Sequence, residues 1–252
     1  MASLPPRPLP PCHQYRDFLD PAEHEALLEW TVSQRERFGP ARLTGNVLDP
    51  KRRVAERLND LGPHRAVLER RLNESLPDIF RRTGARPFEI EFLELEIAAH
   101  GDGAFFAHHS DIPVGRGRQP LGGDKTGKQD RLVSAVYYFH REPKRFTGGT
   151  LRLYRLGDHD ASGDFVEFEP LDNSLVVFPS WVRHEVRPIA CPGCTFEDYR
   201  FAVNAWLCKT LAPRPGILPA SEGRAEGDHP GGGGGVDGAD SADRPRDEAD
   251  LS

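Results

Sequence analysis

The hydrophobic periodicity of the chain changes once, near Pro87, and that change limits the folds open to it. Upstream the spacing is helical. Asp20-Pro21-Ala22-Glu23 reads as a helix start, with Asp20 as cap, Pro21 in the first turn and Glu23 closing a capping box. Ala26, Leu27, Trp30 and Thr31 follow on one face. A second helix is predicted over His64 to Leu76, with Val67, Leu68, Leu72 and Leu76 in register, ending before Pro77. Downstream the period is two, in runs Phe88 to Ala98, Leu132 to Phe139, Thr150 to Tyr154, Phe165 to Phe168, Ser174 to Phe178 and Arg200 to Cys208. Short strands after a helical layer suggest an α+β fold, with a double-sheet β-sandwich or a double-stranded β-helix (jelly-roll) core buttressed by N-terminal helices.

Residues 1–12 are proline-rich, and residues 212–252 run through Pro, Gly, Asp and Ser to the Gly231 to Gly235 tract, so both are expected to be disordered. Between them lie a helical support region, 13–86, and the jelly-roll domain, 87–211. A net charge of -6 gives no general attraction to nucleic acid or anionic lipid, so neither is expected as a partner. There is no apolar run of about 18 residues and no apolar core in Met1 to Cys12, which points to a soluble, cytoplasmic protein. Cys12, Cys191, Cys194 and Cys208 are then expected as reduced thiols.

His109-Ser110-Asp111 sets two metal-ligand side chains two residues apart, so that in extended backbone both project to one side. His184, after the apolar run Leu175 to Phe178, can supply a third ligand if the fold joins the strands. Two imidazoles and a carboxylate on one face of an octahedron leave adjacent positions for a co-substrate and oxygen, the arrangement of non-haem iron(II) oxygenases. H-x-D triplets also arise by chance, and three protein ligands with a water equally describe catalytic zinc.

Arg200 opens a strand in which Arg200, Ala202, Asn204 and Trp206 share one face while Phe201, Val203, Ala205 and Leu207 form the core face. A guanidinium on the inner face of a sandwich needs an anion, and its planar fork suits a carboxylate. A structural salt bridge would satisfy the same requirement.

Taken together, the stretch from about Phe92 to Leu207 resembles the prolyl 4-hydroxylase-like branch of the iron(II)/2-oxoglutarate dioxygenases. The matching pieces are Phe105-Phe106-Ala107-His108-His109-Ser110-Asp111, Val136-Tyr137-Tyr138-Phe139, Gly148-Gly149-Thr150-Leu151-Arg152-Leu153, His184-Glu185-Val186 and Arg200. The resemblance implies that His109, Asp111 and His184 bind iron(II), that Arg200 grips the distal carboxylate of 2-oxoglutarate with help from Tyr138, and that Leu151 forms a pocket wall. Asn204 and Trp206 should line the pocket beyond Arg200. It further implies dioxygen as a reactant, ascorbate as an accessory reductant, and hydroxylation of an unactivated C–H bond with release of succinate and carbon dioxide. The substrate would be a prolyl residue in a peptide or protein, with a free amino acid or secondary metabolite as the small-molecule alternative. Two features depart from the family pattern. The segment Arg187 to Asp198, holding Cys191-Pro192-Gly193-Cys194, stands where relatives often have a shorter turn, and His100 stands where many have a tyrosine.

Other signals carry less. Gly122 to Lys128 fits a phosphate-loop pattern, but Gln129 replaces the magnesium-binding Ser or Thr and no strand precedes it. Pro113 to Arg131 reads instead as a mobile, basic loop with a lid or substrate-contacting role. Cys191 and Cys194 lack the second pair a zinc site needs. His108 points away from His109 and is expected to be structural. A non-catalytic jelly roll that senses a metal or anion is the rival from another class.

Overall fold

Alternation downstream of Pro87 becomes two antiparallel sheets in a computed structural model that describes residues 8–43, 46–112, 129–155 and 163–210. In chain order the elements are β1 (His13–Arg16), α1 (Pro21–Ser33), β2 (Gly39–Pro40), β3 (Arg53–Val54), β4 (Glu56–Leu58), α2 (His64–Thr83), β5 (Phe92–His100), β6 (Phe105–His109) and β7 (Gln129–Phe139). Then follow β8 (Thr147–Gly148), β9 (Leu151–Tyr154), β10 (Phe165–Phe168), β11 (Ser174–Pro179), β12 (His184–Val186), β13 (Ile189–Ala190) and β14 (Arg200–Thr210). The seven-stranded major sheet runs β1-β11-β7-β14-β5-β4-β2 and the five-stranded minor sheet β10-β9-β12-β6-β3, with β13 and β8 as a separate pair. This is the expected jelly roll with helical support.

The two faces of the major sheet do different things. On one, Ile97, Val133, Tyr137, Val177, Phe201 and Val203 pack with Leu27, Leu68, Leu72 and Ile79 of the helices in a single buried cluster. Burying each such aliphatic side chain contributes about 1.5–3 kcal/mol, so this layer carries most of the cohesion between helices and sheet. On the other face, Tyr138, Val176, Phe178 and Ala202 meet Leu151 and Leu153 of the minor sheet. The alternation read along β14 is thus realised: Phe201, Val203, Ala205 and Leu207 turn to the helices, leaving Arg200, Ala202, Asn204 and Trp206 for the space between the sheets.

Several local expectations are corrected. Asp20 caps α1 and Pro21 begins it, but the Asp20 side chain makes no cap bond, and Glu23, expected to close a capping box, pairs with Arg70 on α2. The second helix does not stop before Pro77. It continues to Thr83 and ends at Gly84, whose φ of 66° is the left-handed conformation glycine adopts readily. Proline removes one helical hydrogen bond, and the burial of Ile79, Phe80 and Thr83 beyond it offsets that loss. The first long strand starts at Phe92 rather than Phe88, and Phe88 packs on Phe80 at 4.9 Å between centroids. The region before Pro87 is not purely helical. It supplies β1, β2 and β4 to the two ends of the major sheet and β3 to the edge of the minor one.

Cys191 and Cys194, expected as thiols, are joined in a disulfide, since a turn with Gly193 at φ 73° brings their Cα atoms to 5.5 Å, within bridging range. Cys12 and Cys208 are free. Gln129 to Arg131, read as the end of a loop, begin β7, while residues 113–128, residues 1–7 and the tail 212–252 lie outside the described residues. No helix among the described residues is long and apolar enough to cross a membrane.

Candidate metal and co-substrate site

The minor sheet pairs β6 with β12 and sets His109 directly opposite His184. Asp111 follows as the chain leaves β6 and is tied down at its backbone and its side chain, with Arg131 Nη1 donating to its carbonyl (3.4 Å). Its backbone N–H donates to Ser180 O (3.1 Å), and Ser134 Oγ donates to its Oδ2 (2.6 Å) while lying 2.9 Å from Ser180 Oγ. The ligand-type atoms of His109, Asp111 and His184 therefore converge within 4.8 Å of one another. His109 Nε2 is 3.7 Å from Asp111 Oδ1, and His184 Nε2 is 3.6 Å from Asp111 Oδ2.

The tautomers are set from behind. His109 Nδ1 lies 2.8 Å from Ala107 O and His184 Nδ1 2.9 Å from Val182 O. A carbonyl only accepts, so each Nδ1 must carry the proton and each Nε2 lone pair is left for the centre. Burial, reinforced by His184, holds the His109 pKa well below its usual value. Burial alone would raise the Asp111 carboxyl, but His184 and His109 outweigh it and hold the pKa below the ordinary carboxylate value. Neutral imidazole and ionised carboxylate are the forms that bind metal, so these three residues fit a divalent cation.

Arg200 lines the same cavity. It is 1% exposed, and its Nε, Nη1 and Nη2 make no hydrogen bond of good geometry among the described residues. Its neighbour Tyr138 is fully buried, with a hydroxyl likewise unsatisfied and its ring centroid 5.1 Å from Arg200 Cζ. Burial lowers the Arg200 pKa and raises that of Tyr138, and the two groups offset part of each other's shift. A buried cation without a counter-ion is costly, so this part of the cavity calls for an anion. Gly149 makes room for the arrangement: at φ 72°, a Cβ there would stand 2.7 Å from the Ile189 side chain and 3.4 Å from Arg200 Cδ.

Every residue singled out from sequence lines this cavity: His109, Asp111, His184, Tyr138, Leu151, Arg200, Asn204 and Trp206. Asn204 is already engaged, its Nδ2 donating to Glu96 Oε1 (3.1 Å). Trp206 has the Arg131 guanidinium 3.9 Å from its ring centroid. His108 packs edge-on to Tyr154, away from the centre. Sequence reasoning missed a buried ion pair, Arg53 Nη2 to Glu96 Oε1 at 2.8 Å, with Arg53 also over Phe106, which stacks on His109. Glu96 lay in the inward phase of β5 and could have been found by alternation. Arg53, on a two-residue strand, gave no such signal. His100, paired across from Arg200 and 4% exposed, completes the inner wall.

A jelly roll with two histidines and a carboxylate converging between its sheets is the architecture of a mononuclear metal oxygenase. The sequence profile of the 2OG-Fe(II) oxygenase superfamily matches residues 95–208, which contain all of those site residues. Over that stretch the chain is similar to this superfamily, whose members use iron(II) and 2-oxoglutarate. An uncharacterised PKHD-type hydroxylase of Synechocystis sp. is 29% identical over 202 residues, covering 79% of this chain; the chain spans 63% of that relative's length. A Pseudomonas putida prolyl-4-hydroxylase superposes with a TM-score of 0.56 at 21% identity, covering 79% of this chain and 93% of the other. A Trichoplax adhaerens prolyl hydroxylase, solved with a hypoxia inducible factor oxygen degradation domain peptide fragment, gives 0.57 at 20% identity, over 78% and 82%.

Proposed function

We propose that the protein is an iron(II)- and 2-oxoglutarate-dependent dioxygenase that hydroxylates a prolyl residue in a peptide or protein, with His109, Asp111 and His184 holding the iron. The observation that carries this reading is the buried, unpaired Arg200 sharing one cavity with the His-Asp-His cluster. A dicarboxylate spans such a cavity, one end at the metal and the distal carboxylate on Arg200 and Tyr138. Iron with 2-oxoglutarate and dioxygen supplies the oxidant for an unactivated C–H bond. The chain's own residues orient and exclude water: Leu151 and Val186 wall the co-substrate, while Asn204 and Trp206 stand on the substrate side. The prolyl choice draws on the prolyl hydroxylases among the fold neighbours. Ascorbate serves as the accessory reductant that restores iron(II) after uncoupled turnover.

The test is succinate formation from 2-oxoglutarate by protein reconstituted with iron(II), in air and without oxygen. Oxygen-dependent succinate is expected. No turnover despite metal binding would favour a sensor, and oxygen-independent hydrolytic activity with zinc would favour a hydrolase.

A further inference from the structure

Near the cavity lies an unfinished sheet edge. β14 pairs with β5 from Phe92 to His100, but on the other side β4 reaches only Ile97 to Ala99. Among the described residues no strand covers β5 from Phe92 to Glu96 on that side. The outward carbonyl of Leu93 is capped by a side chain, Arg65 Nη2 donating at 2.8 Å. Leu95, two residues on and in the same phase, turns its backbone groups to the same side. Beside this edge runs a groove with about 760 Å³ of open space, lined by Arg57, Asn59, Arg65, Phe92 and Glu94, and it shares Glu96 and Trp206 with the cavity.

The charges along the groove are unequal in availability. Glu94 is taken by Arg131, and Glu96 by Arg53 at 2.8 Å and Arg57 at 3.5 Å. Arg65, whose side chain is 43% exposed, donates to the Leu93 carbonyl and has as its one carboxylate partner among the described residues Glu69 at 2.7 Å, a surface pair that contributes little and exchanges readily. The solvent-facing end of the groove therefore offers a cation and unpaired backbone, while its inner end offers an aromatic ring beside the metal centre.

From this we infer that the groove seats the substrate as an extended peptide that adds a strand along the open edge of β5, with an acidic side chain meeting Arg65 and the oxidised residue entering between Glu96 and Trp206. The inference rests on the peptide-substrate reading above. At about 3.3 Å per residue the edge from Phe92 to Glu96 seats about four or five peptide residues, which places the acidic residue about three or four positions from the oxidised one.

The probe is a synthetic peptide library of about twelve residues with a fixed central proline and randomised flanks, incubated with iron(II)-loaded enzyme, 2-oxoglutarate and air. Members that gain one oxygen atom are sequenced by mass spectrometry. Aspartate and glutamate should be enriched about tenfold, equivalent to about 1.4 kcal/mol, on one side of the proline only. Arg65→Glu should reverse the preference to lysine and arginine; a purely structural role for Arg65 would not invert charge selection. N-methylation of peptide amides in the selected flank should raise KM at alternate positions. Oxidised peptides with no one-sided acidic preference, or a preference that Arg65→Glu leaves intact, would overturn the groove while sparing the peptide reading. Succinate formation with no peptide oxidised would overturn the peptide reading, and the groove with it.

Discussion

His109 and His184 stand directly opposite one another across the β6–β12 ladder, their ring centroids 4.1 Å apart and each Nδ1 committed to a carbonyl two residues earlier in its own chain. Ladder register, not side-chain flexibility, brings the two Nε2 atoms to Asp111, so removing a ligand should remove the site rather than let it rearrange. Iron(II) and 2-oxoglutarate mixed with the protein without oxygen should give a weak visible charge-transfer band. Asp111→Ala and His184→Ala should each strongly diminish it. An undiminished band in both variants would exclude this triad.

Ser134, 1% exposed, orients Asp111 through a 2.6 Å hydrogen bond. Groups that hold a metal ligand in place typically contribute about 10- to 100-fold in metal affinity. Ser134→Ala should therefore weaken iron binding by about that factor in a competitive titration. Unchanged affinity would mean that the backbone contacts alone fix Asp111.

Arg200 gives a separable effect. Losing one partner of a buried charge pair costs about 2–5 kcal/mol, or about 30-fold to several-thousand-fold in affinity. Arg200→Leu should raise the 2-oxoglutarate concentration needed for succinate formation by that range with iron affinity nearly intact, and Arg200→Lys should fall between. Near-normal co-substrate affinity in Arg200→Leu would move the anion site elsewhere, Arg187 being the next cation to test.

Asp172 should set part of the acid stability. Burial pushes its carboxyl up, but hydrogen bonds from His24 and from the His140 backbone N–H outweigh this and lower the pKa. A carboxyl with a depressed folded pKa contributes stability above its unfolded value of about 4, and that contribution is lost as pH falls through the folded pKa. Asp172→Asn should destabilise the protein by about 1 kcal/mol near neutral pH, and the gap to the unsubstituted protein should close below about pH 4. Denaturant melts across pH measure it. A constant gap would refute the linkage.

The site was legible in the sequence to the extent that its residues sit on long strands or in short spacings. Arg200, Asn204 and Trp206 were assigned to one face by alternation alone, and β14 bears that out from Arg200 to Leu207, where its register with β7 shifts. Glu96 was overlooked although the same rule applied to it. Arg53 was beyond reach, because a two-residue strand carries no periodicity, and its role depends on β3 pairing with β6.

By itself, the sequence carried the change from helical to alternating periodicity and the order and spacing of His109, Asp111, His184 and Arg200, pieces whose family resemblance implied the jelly roll. These are encoded locally, in residue order and in which side of a strand each residue occupies. Only the tertiary structure decided that α2 runs through Pro77, that segments before Pro87 complete both sheets, that Cys191 and Cys194 bridge, and that Arg53 meets Glu96 beside the metal centre. Each of these depends on what lies across space. A helix extends past a proline when a buried face repays the lost hydrogen bond, and a buried arginine is stable where a carboxylate from a distant strand arrives to pair with it.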